Sequence, residues 1–227
     1  MQWWLDALAL LFFLGAWGGY SFLSYMRGSK SSLVKVMHRY RIQWIKHMIR
    51  REERLVDIRI IGNLLKTSTF LASTSVIIVA GAITIIGFGS QGVALFNRLP
   101  FIANTTIELW LIKGSLLVVI FIYSFFKLTW VIRQLNYAAV LIVAAPVYYE
   151  GIDNHFDIRK STRYVSKTAT MLSNAGRHFN SSIRAYYFGM VATSWYVSPI
   201  FFIVMTLLVV MVLYRREFMS KTLVLLS

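Results

Sequence analysis

The sequence predicts an all-α membrane protein with four transmembrane helices and a helical cytoplasmic layer. Of its 227 residues, 57% are hydrophobic and only 15% are charged, whereas charged residues make up about a quarter of ordinary soluble domains. Four apolar stretches are each long enough to cross a hydrocarbon core of about 30 Å, which takes about 20 helical residues. We therefore expect the whole chain, residues 1–227, to form a single membrane domain.

The four predicted spans differ in how clearly the sequence bounds them. They are residues 3–25, 60–88, 108–127 and 185–213. The third apolar stretch runs past Lys127 to Ala145, so its helix is expected to leave the membrane near Lys127, with its last part interfacial or buried in protein. Pro199 lies inside the fourth span and is expected to kink it, because proline removes a helical N–H donor.

The distribution of Lys and Arg predicts the orientation of the chain in the membrane. Residues 27–66 and 127–184 hold 11 and 8 of them, whereas the loop 89–113 and the C-terminal tail hold 2 and 3. Because cytoplasmic loops carry the excess of Lys and Arg, segments 27–59 and 128–184 are predicted to be cytoplasmic. Both termini are then predicted to lie outside.

The net charge of +15 indicates anionic lipid as the partner. A soluble protein with this charge would suggest nucleic acid, but no nucleic-acid-binding motif accompanies it here, so we expect no such partner. The chain has no cysteine, which excludes disulfides and cysteine-ligated metals. It also lacks a phosphate-binding glycine loop, a nucleophile elbow and a zinc-protease helix. We therefore predict no enzymatic activity, no cofactor and no metal site of these recognised kinds.

A polar face marks the beginning of the second span. Its residues are Asn63, Lys66, Thr67, Thr69, Ser73 and Thr74. Polar side chains at membrane depth are unfavourable unless they face protein or water. One interpretation is helix packing, with hydroxyls bonded to the carbonyl four residues earlier. The other is that this face lines a hydrated cavity or pore.

Two groups of cations are candidates for binding an anion or a lipid headgroup. Lys66, Lys127, Arg133 and Arg184 lie at the inner ends of the predicted spans. Lys35, Arg39 and Lys46 form a charged stripe on a predicted basic amphipathic helix that runs into the second span without a clear breaker. Convergent cations attract lipid phosphates or a partner's carboxylates. The alternative is that they extend to the headgroups and only fix the topology.

Three acidic residues form a weaker candidate. Glu150, Asp153 and Asp157 are spaced at i, i+3 and i+7. Carboxylates on one side of a segment can bind a divalent cation or pair with the basic helix, and the sequence leaves both alternatives open.

Several groups of residues are similar to those of one membrane family. They are His38-Arg39-Tyr40-Arg41, Arg51-Glu52-Glu53-Arg54, Asp57, Gly62-Asn63, Phe70-Leu71-Ala72-Ser73-Thr74, Phe125-Phe126-Lys127-Leu128-Thr129-Trp130, Arg133-Gln134-Leu135-Asn136-Tyr137, Phe179-Asn180, Arg184-Ala185-Tyr186-Tyr187-Phe188, Trp195, Ser198-Pro199 and Leu213-Tyr214-Arg215-Arg216-Glu217-Phe218. This combination, from about 38 to 220, resembles a bacterial and plant membrane family catalogued as domain of unknown function 599. The resemblance implies a four-helix integral membrane fold and no particular reaction. We expect a multi-pass protein of the bacterial inner (plasma) membrane.

These observations support two functional hypotheses. The first is a homo-oligomeric channel or transporter-like protein, in which second-span hydroxyls line a route and Lys66, Lys127 and Arg133 favour anions. Oligomerisation is required because four helices without an inverted repeat rarely enclose a pathway alone. The alternative is a non-catalytic assembly or regulatory subunit, whose basic cytoplasmic helices bind anionic lipid or an acidic membrane partner protein.

Overall fold

The computed structural model describes residues 3–27, 33–100, 102–103, 105–147 and 158–218. Within these ranges the protein is entirely helical, with seven α-helices, one 3₁₀ helix and no strand. The elements are α1 (Trp3–Arg27), α2 (Leu33–Met48), α3 (Leu55–Gly87), α4 (Gly89–Phe96), α5 (Ile107–Val143), α6 (Ile158–Thr193), the 3₁₀ helix Ser194–Tyr196 and α7 (Pro199–Phe218).

Four helices have the length and composition to cross a membrane. The candidate spans are Trp3–Ser24, Leu55–Gly87, Ile107–Val143 and Pro199–Glu217. The predicted all-helical class and the number of spans are therefore confirmed, and the protein is a multi-pass membrane protein by these criteria.

Helices α3 and α5 form a long antiparallel pair. At one end, the Arg54 guanidinium donates to the carbonyl of Ile142 at 3.0 Å, and at the other the Trp110 indole donates to the carbonyl of Ile85 at 3.1 Å. At 1.5 Å per residue these helices are roughly 50 and 55 Å long. Both exceed the hydrocarbon thickness of about 30 Å. We call the end of this pair that carries Arg54 the basic end.

Helix α6 runs antiparallel to α5 along nearly its full length. The Tyr164 hydroxyl bonds the carbonyl of Leu141, and further along Ser182 contacts Ser124. The chain then reverses through the 3₁₀ helix, so that α7 returns beside α6. Helix α1 lies next to α7 and parallel to it: the Phe13 and Phe202 ring centroids are 4.9 Å apart, and further along the Tyr20 hydroxyl donates to Glu217. Asp6 and Glu217 consequently lie at opposite ends of the bundle, so this arrangement does not support the prediction that both termini lie outside.

The chain buries two apolar cores, one above the other. The first lies among the spans and contains Phe13, Ile120, Phe188 and Phe202. The second is built by α2 and the parts of α3, α5 and α6 at the basic end, and it contains Ile45, Ile61, Leu135, Val165 and Leu172. The basic end is therefore a packed helical layer of its own.

Helices α2 and α3 are separate helices joined by a turn, so the prediction of an unbroken passage between them was wrong. Helix α2 ends at Met48 and α3 begins at Leu55. The turn brings the indole of Trp44 to Asp57, to which it donates at 2.6 Å, and Arg51 lies 3.1 Å from the same carboxylate. These contacts fix the angle between the two helices.

Two other stretches differ from the sequence-based expectation. Residues 185–193 belong to α6, and the last span begins at Pro199. Proline is favourable in the first turn of a helix, where its missing N–H has no partner to lose, so Pro199 begins a helix instead of kinking one.

The predicted loop after α3 contains α4. Past Lys127, α5 continues to Val143, and Ala138, Ile142 and Ala145 are buried. Glu150, Asp153 and Asp157 lie outside the described residues.

Candidate functional site

A pocket of about 450 Å³ lies at the basic end, where α2, α6 and α7 meet α3 and α5. Most of its wall is apolar, including Met37, Leu64, Val131, Leu135, Leu172, Phe179 and Leu213. Glu217, the last residue of the span Pro199–Glu217, also lines it. The Ser24 hydroxyl, from the last residue of the span Trp3–Ser24, donates to Glu217 at 2.6 Å. The pocket therefore lies beside the ends of two candidate membrane spans.

The charges that line the pocket are predominantly positive. Four arginines contribute to its wall: Arg41, Arg177, Arg184 and Arg216. Glu217 is the single carboxylate among the lining residues. Because guanidinium groups stay protonated and present several donors in one plane, they match the oxygens of phosphate or carboxylate groups. The wall is thus suited to an anion.

Arg41 extends from α2 towards α6, where its Nη1 donates to the Ser173 hydroxyl at 3.3 Å. The same hydroxyl lies 2.8 Å from the Nδ1 of His38. Burial lowers the pKa of the Arg41 guanidinium, and no described carboxylate lies within ion-pair distance of it. Arg41 is thus a partly buried cation that lacks a counter-ion in the part of the chain that the structure describes.

Arg184 on α6 has a different environment. Its Nη1 donates to the Ser24 hydroxyl at 2.9 Å and lies 3.6 Å from the Glu217 carboxylate. The Tyr20 hydroxyl also donates to Glu217, at 2.6 Å. The Nε of Arg184 is buried and has no hydrogen-bond partner. One edge of this guanidinium is therefore unused.

The comparison with known families agrees with the resemblance noted in the sequence. The model of the family described as Protein of unknown function, DUF599 matches residues 8–222. The chain belongs to this family. No curated protein and no solved structure matches it significantly. The matched range of the DUF599 chain includes every residue that lines the pocket.

In this DUF599 protein, the polar face of α3 points away from the pocket. Asn63, Lys66, Thr67, Thr69 and Ser73 are exposed, and Thr74 is half-buried. Thr67 and Thr74 bond the carbonyls of Asn63 and Phe70, four residues earlier, which is the local bonding expected from helix packing. From α3, only Leu64 and Ser68 reach the pocket.

The four cations at the predicted inner span ends face different directions, and only Arg184 lines the pocket. Lys66 and Arg133 are exposed. Arg133 stacks against the rings of Trp130 and Tyr137. Lys127 lies over the Tyr123 ring, 5.3 Å from its centroid. On α2, Lys35, Arg39 and Lys46 are all exposed on the outer side.

Apart from Arg184, sequence reasoning missed the cations that line the pocket, although a signal was present. Arg41 follows Arg39 by two residues, which places it about 200° around the helix, on the side that carries the buried residues Ile45 and Met48. On α6, Ser173, Arg177, Asn180 and Arg184 recur at spacings of three and four. Both patterns put cations on the helix faces that line the pocket.

A second polar cluster that the sequence did not reveal lies near the opposite end of the spans. The Lys113 ammonium and the Asp6 carboxylate are 3.7 Å apart, and their side chains are 3% and 6% exposed. The Trp195 indole donates to the same carboxylate at 2.7 Å. Nowhere in the described residues do three or more acidic or histidine side chains form a group suited to a metal.

Proposed function

We propose that this protein is a non-catalytic membrane protein that binds an anionic lipid, with the lipid phosphate in the basic pocket. The observation that carries the proposal is Arg41, a partly buried guanidinium without a carboxylate partner among the described residues. An unpaired charge away from water is strongly unfavourable. A bound phosphate would provide a counter-ion for Arg41.

The apolar wall favours a lipid over a soluble anion. Residues such as Met37, Leu135 and Leu213 contribute most of the surface beside the arginines. An acyl chain would bury this surface, with a gain of about 0.8 kcal/mol per CH₂. If the basic end faces the cytoplasm, as the Lys and Arg distribution predicts, the pocket opens to the leaflet that holds anionic lipids.

The pocket also suggests what the binding does. Its walls come from α2, α3, α5, α6 and α7, so a lipid in it would contact both the membrane spans and the helical layer. The function that follows is a regulatory or assembly role, in which lipid composition sets the arrangement of the basic end.

The test is binding of defined lipids to the purified protein in detergent micelles, measured by native mass spectrometry. Phosphatidylglycerol is the anionic probe, phosphatidylcholine is the zwitterionic control of similar acyl composition, and inorganic phosphate is the soluble control. We expect phosphatidylglycerol to bind at least tenfold more tightly than either control. Equal binding of the two lipids would contradict an anion-selective pocket, and saturation by inorganic phosphate alone would assign the pocket to a soluble anion.

A second candidate function is the homo-oligomeric channel or transporter, and the exposed face of α3 favours it. In the described part of the chain, the side chains of Asn63, Lys66 and Ser73 are exposed and have no hydrogen-bond partner. A second copy against this face would cover them and enclose a polar route. This candidate predicts ion flux in proteoliposomes that Lys66→Ala or Lys127→Ala alters. A monomer in a native-like membrane, or liposomes that stay silent across a panel of ions, would rule it out.

A further inference from the structure

We infer that Glu217 is an internal competitor for the anion: a bound phosphate takes Arg184 from Glu217 and thereby loosens the basic end of α1. This inference rests on the proposed function, since it concerns the same pocket. Glu217 then controls the affinity of the pocket for the anion, and α1 is the helix that moves when the anion binds.

The geometry around Arg184 shows that its contact with Glu217 can be replaced. The distance of 3.6 Å between Nη1 and the carboxylate oxygen exceeds the 2.7–2.9 Å of a charge-assisted hydrogen bond. The Nε of Arg184 is buried without a partner. A phosphate could use Nε and a terminal nitrogen together, and such two-point contacts are stronger and more specific than single ones.

Glu217 also connects the pocket to α1. Its two oxygens accept hydrogen bonds from Tyr20 and Ser24, both at 2.6 Å, and both donors belong to α1. The Arg184 guanidinium in turn donates to Ser24. If Arg184 turns towards a phosphate, Ser24 loses the hydrogen bond from α6. Among the described residues, this end of α1 then keeps only its hydrogen bonds to Glu217 on α7.

The opposite end of α1 is held independently of the pocket. Asp6 accepts a hydrogen bond from Trp195 and pairs with Lys113. Phe13 packs edge-on against Phe188, with ring centroids 5.6 Å apart. The inferred movement is therefore limited to the basic end of α1, and the distal end provides an internal reference.

Thermodynamic reciprocity gives the inference a direct test. If the anion weakens the Arg184–Glu217 contact, loss of the Glu217 charge must strengthen anion binding by the same factor. Glu217→Gln keeps the size of the side chain and one acceptor oxygen, and it removes the negative charge. Glu53→Gln is the matched control, because Glu53 is an exposed carboxylate at the basic end, outside the pocket.

In the same micelles, we expect Glu217→Gln to bind phosphatidylglycerol about fivefold more tightly than the parent protein. Glu53→Gln should change the affinity by less than twofold. If the parent protein binds phosphatidylglycerol and Glu217→Gln binds it no more tightly than Glu53→Gln does, this inference is wrong and the proposed function stands. If the parent protein shows no preference for phosphatidylglycerol, both are wrong.

A distance measurement tests the movement without changing Glu217. Because the chain has no cysteine, spin labels can be placed on Leu23→Cys and Met211→Cys, two exposed positions on α1 and α7. Leu8→Cys and Ile200→Cys, also exposed, report on the distal end. Phosphatidylglycerol should broaden and lengthen the distances of the first pair and leave the second pair unchanged. An unchanged first pair with lipid bound would overturn the inferred response of α1.

Discussion

The guanidinium of Arg41 lies directly against the backbone of Gly176. A Cβ atom at position 176 would come within 2.9 Å of the Arg41 Nη2. Glycine at this position therefore allows α2 and α6 to hold the cation between them, inside the pocket. The relationship links a small residue on one helix to the position of a charge on another.

Gly176→Ala should weaken anionic-lipid binding without removing any charge. The added methyl group must push the flexible end of Arg41 aside, so we expect phosphatidylglycerol affinity to fall about tenfold, equivalent to about 1.4 kcal/mol. The free energy of unfolding should change little. Alanine is more favourable than glycine within a helix by about 0.5–1 kcal/mol, and this offsets the cost of displacing Arg41. Gly62→Ala is the control, since nothing lies within 4 Å of a Cβ there. Equal affinities for the two variants would show that the position of Arg41 does not matter.

Asp57→Ala should destabilise the helical layer at the basic end. Asp57 is 1% exposed and accepts from the Trp44 indole and from Arg51. Its loss leaves the indole N–H buried without an acceptor, and we expect the free energy of unfolding to fall by roughly 3 kcal/mol. Asp57→Asn retains an acceptor oxygen and should lose about half as much. Thermal unfolding in micelles measures both, with Glu53→Ala as the exposed control.

The Asp6–Lys113 pair should show strong coupling between its two partners. Lys113→Met leaves a buried carboxylate without its cation and should lower stability by on the order of 3 kcal/mol. Asp6→Asn should have a comparable effect, because it leaves a buried ammonium group. The double variant removes both charges and keeps an acceptor for Trp195, so it should be more stable than either single variant. Additive losses would mean that the two charges do not interact.

His178 should make the protein less stable as the pH falls. Burial, with the positive charges of Lys127 and Arg177, lowers the pKa of His178 below its usual 6.5. Between the lowered value and 6.5, the unfolded chain binds more protons than the folded one, so acidification favours unfolding. From pH 7 to pH 5, His178→Gln should therefore lose less melting temperature than the parent protein. His47→Gln, at an exposed position, is the control. If His178→Gln loses as much melting temperature as His47→Gln does, His178 is not the origin of the effect.

Much of the fold could be predicted because the hydropathy and the length of the apolar stretches determine the number of spans directly. The four spans follow from apolar stretches that any membrane helix requires. The boundary between α6 and α7 could not be predicted in this way, since apolar residues occur on both sides of Pro199. Whether that proline kinks a helix or begins one depends on the packing of α7 beside α6, a tertiary contact that hydropathy does not contain.

The site was less predictable because the direction of a side chain decides its role. One side of α2 is exposed and carries Lys35, Arg39 and Lys46. Arg41, on the other side, points to α6. Glu217 lies far in sequence from Tyr20 and Ser24, and only the packing of α1 against α7 brings them together. Charge counting identified the segments rich in Lys and Arg, but it did not identify the pocket.

The most direct test of the central claim compares Arg41→Gln with Arg59→Gln. Each variant removes one positive charge from the basic end, but only Arg41 lines the pocket. Loss of one hydrogen-bonded cation should cost about 1.5–3 kcal/mol. The affinity for phosphatidylglycerol in micelles should therefore fall at least tenfold in Arg41→Gln and less than twofold in Arg59→Gln. Equal affinities in two folded variants would contradict a lipid phosphate bound at Arg41.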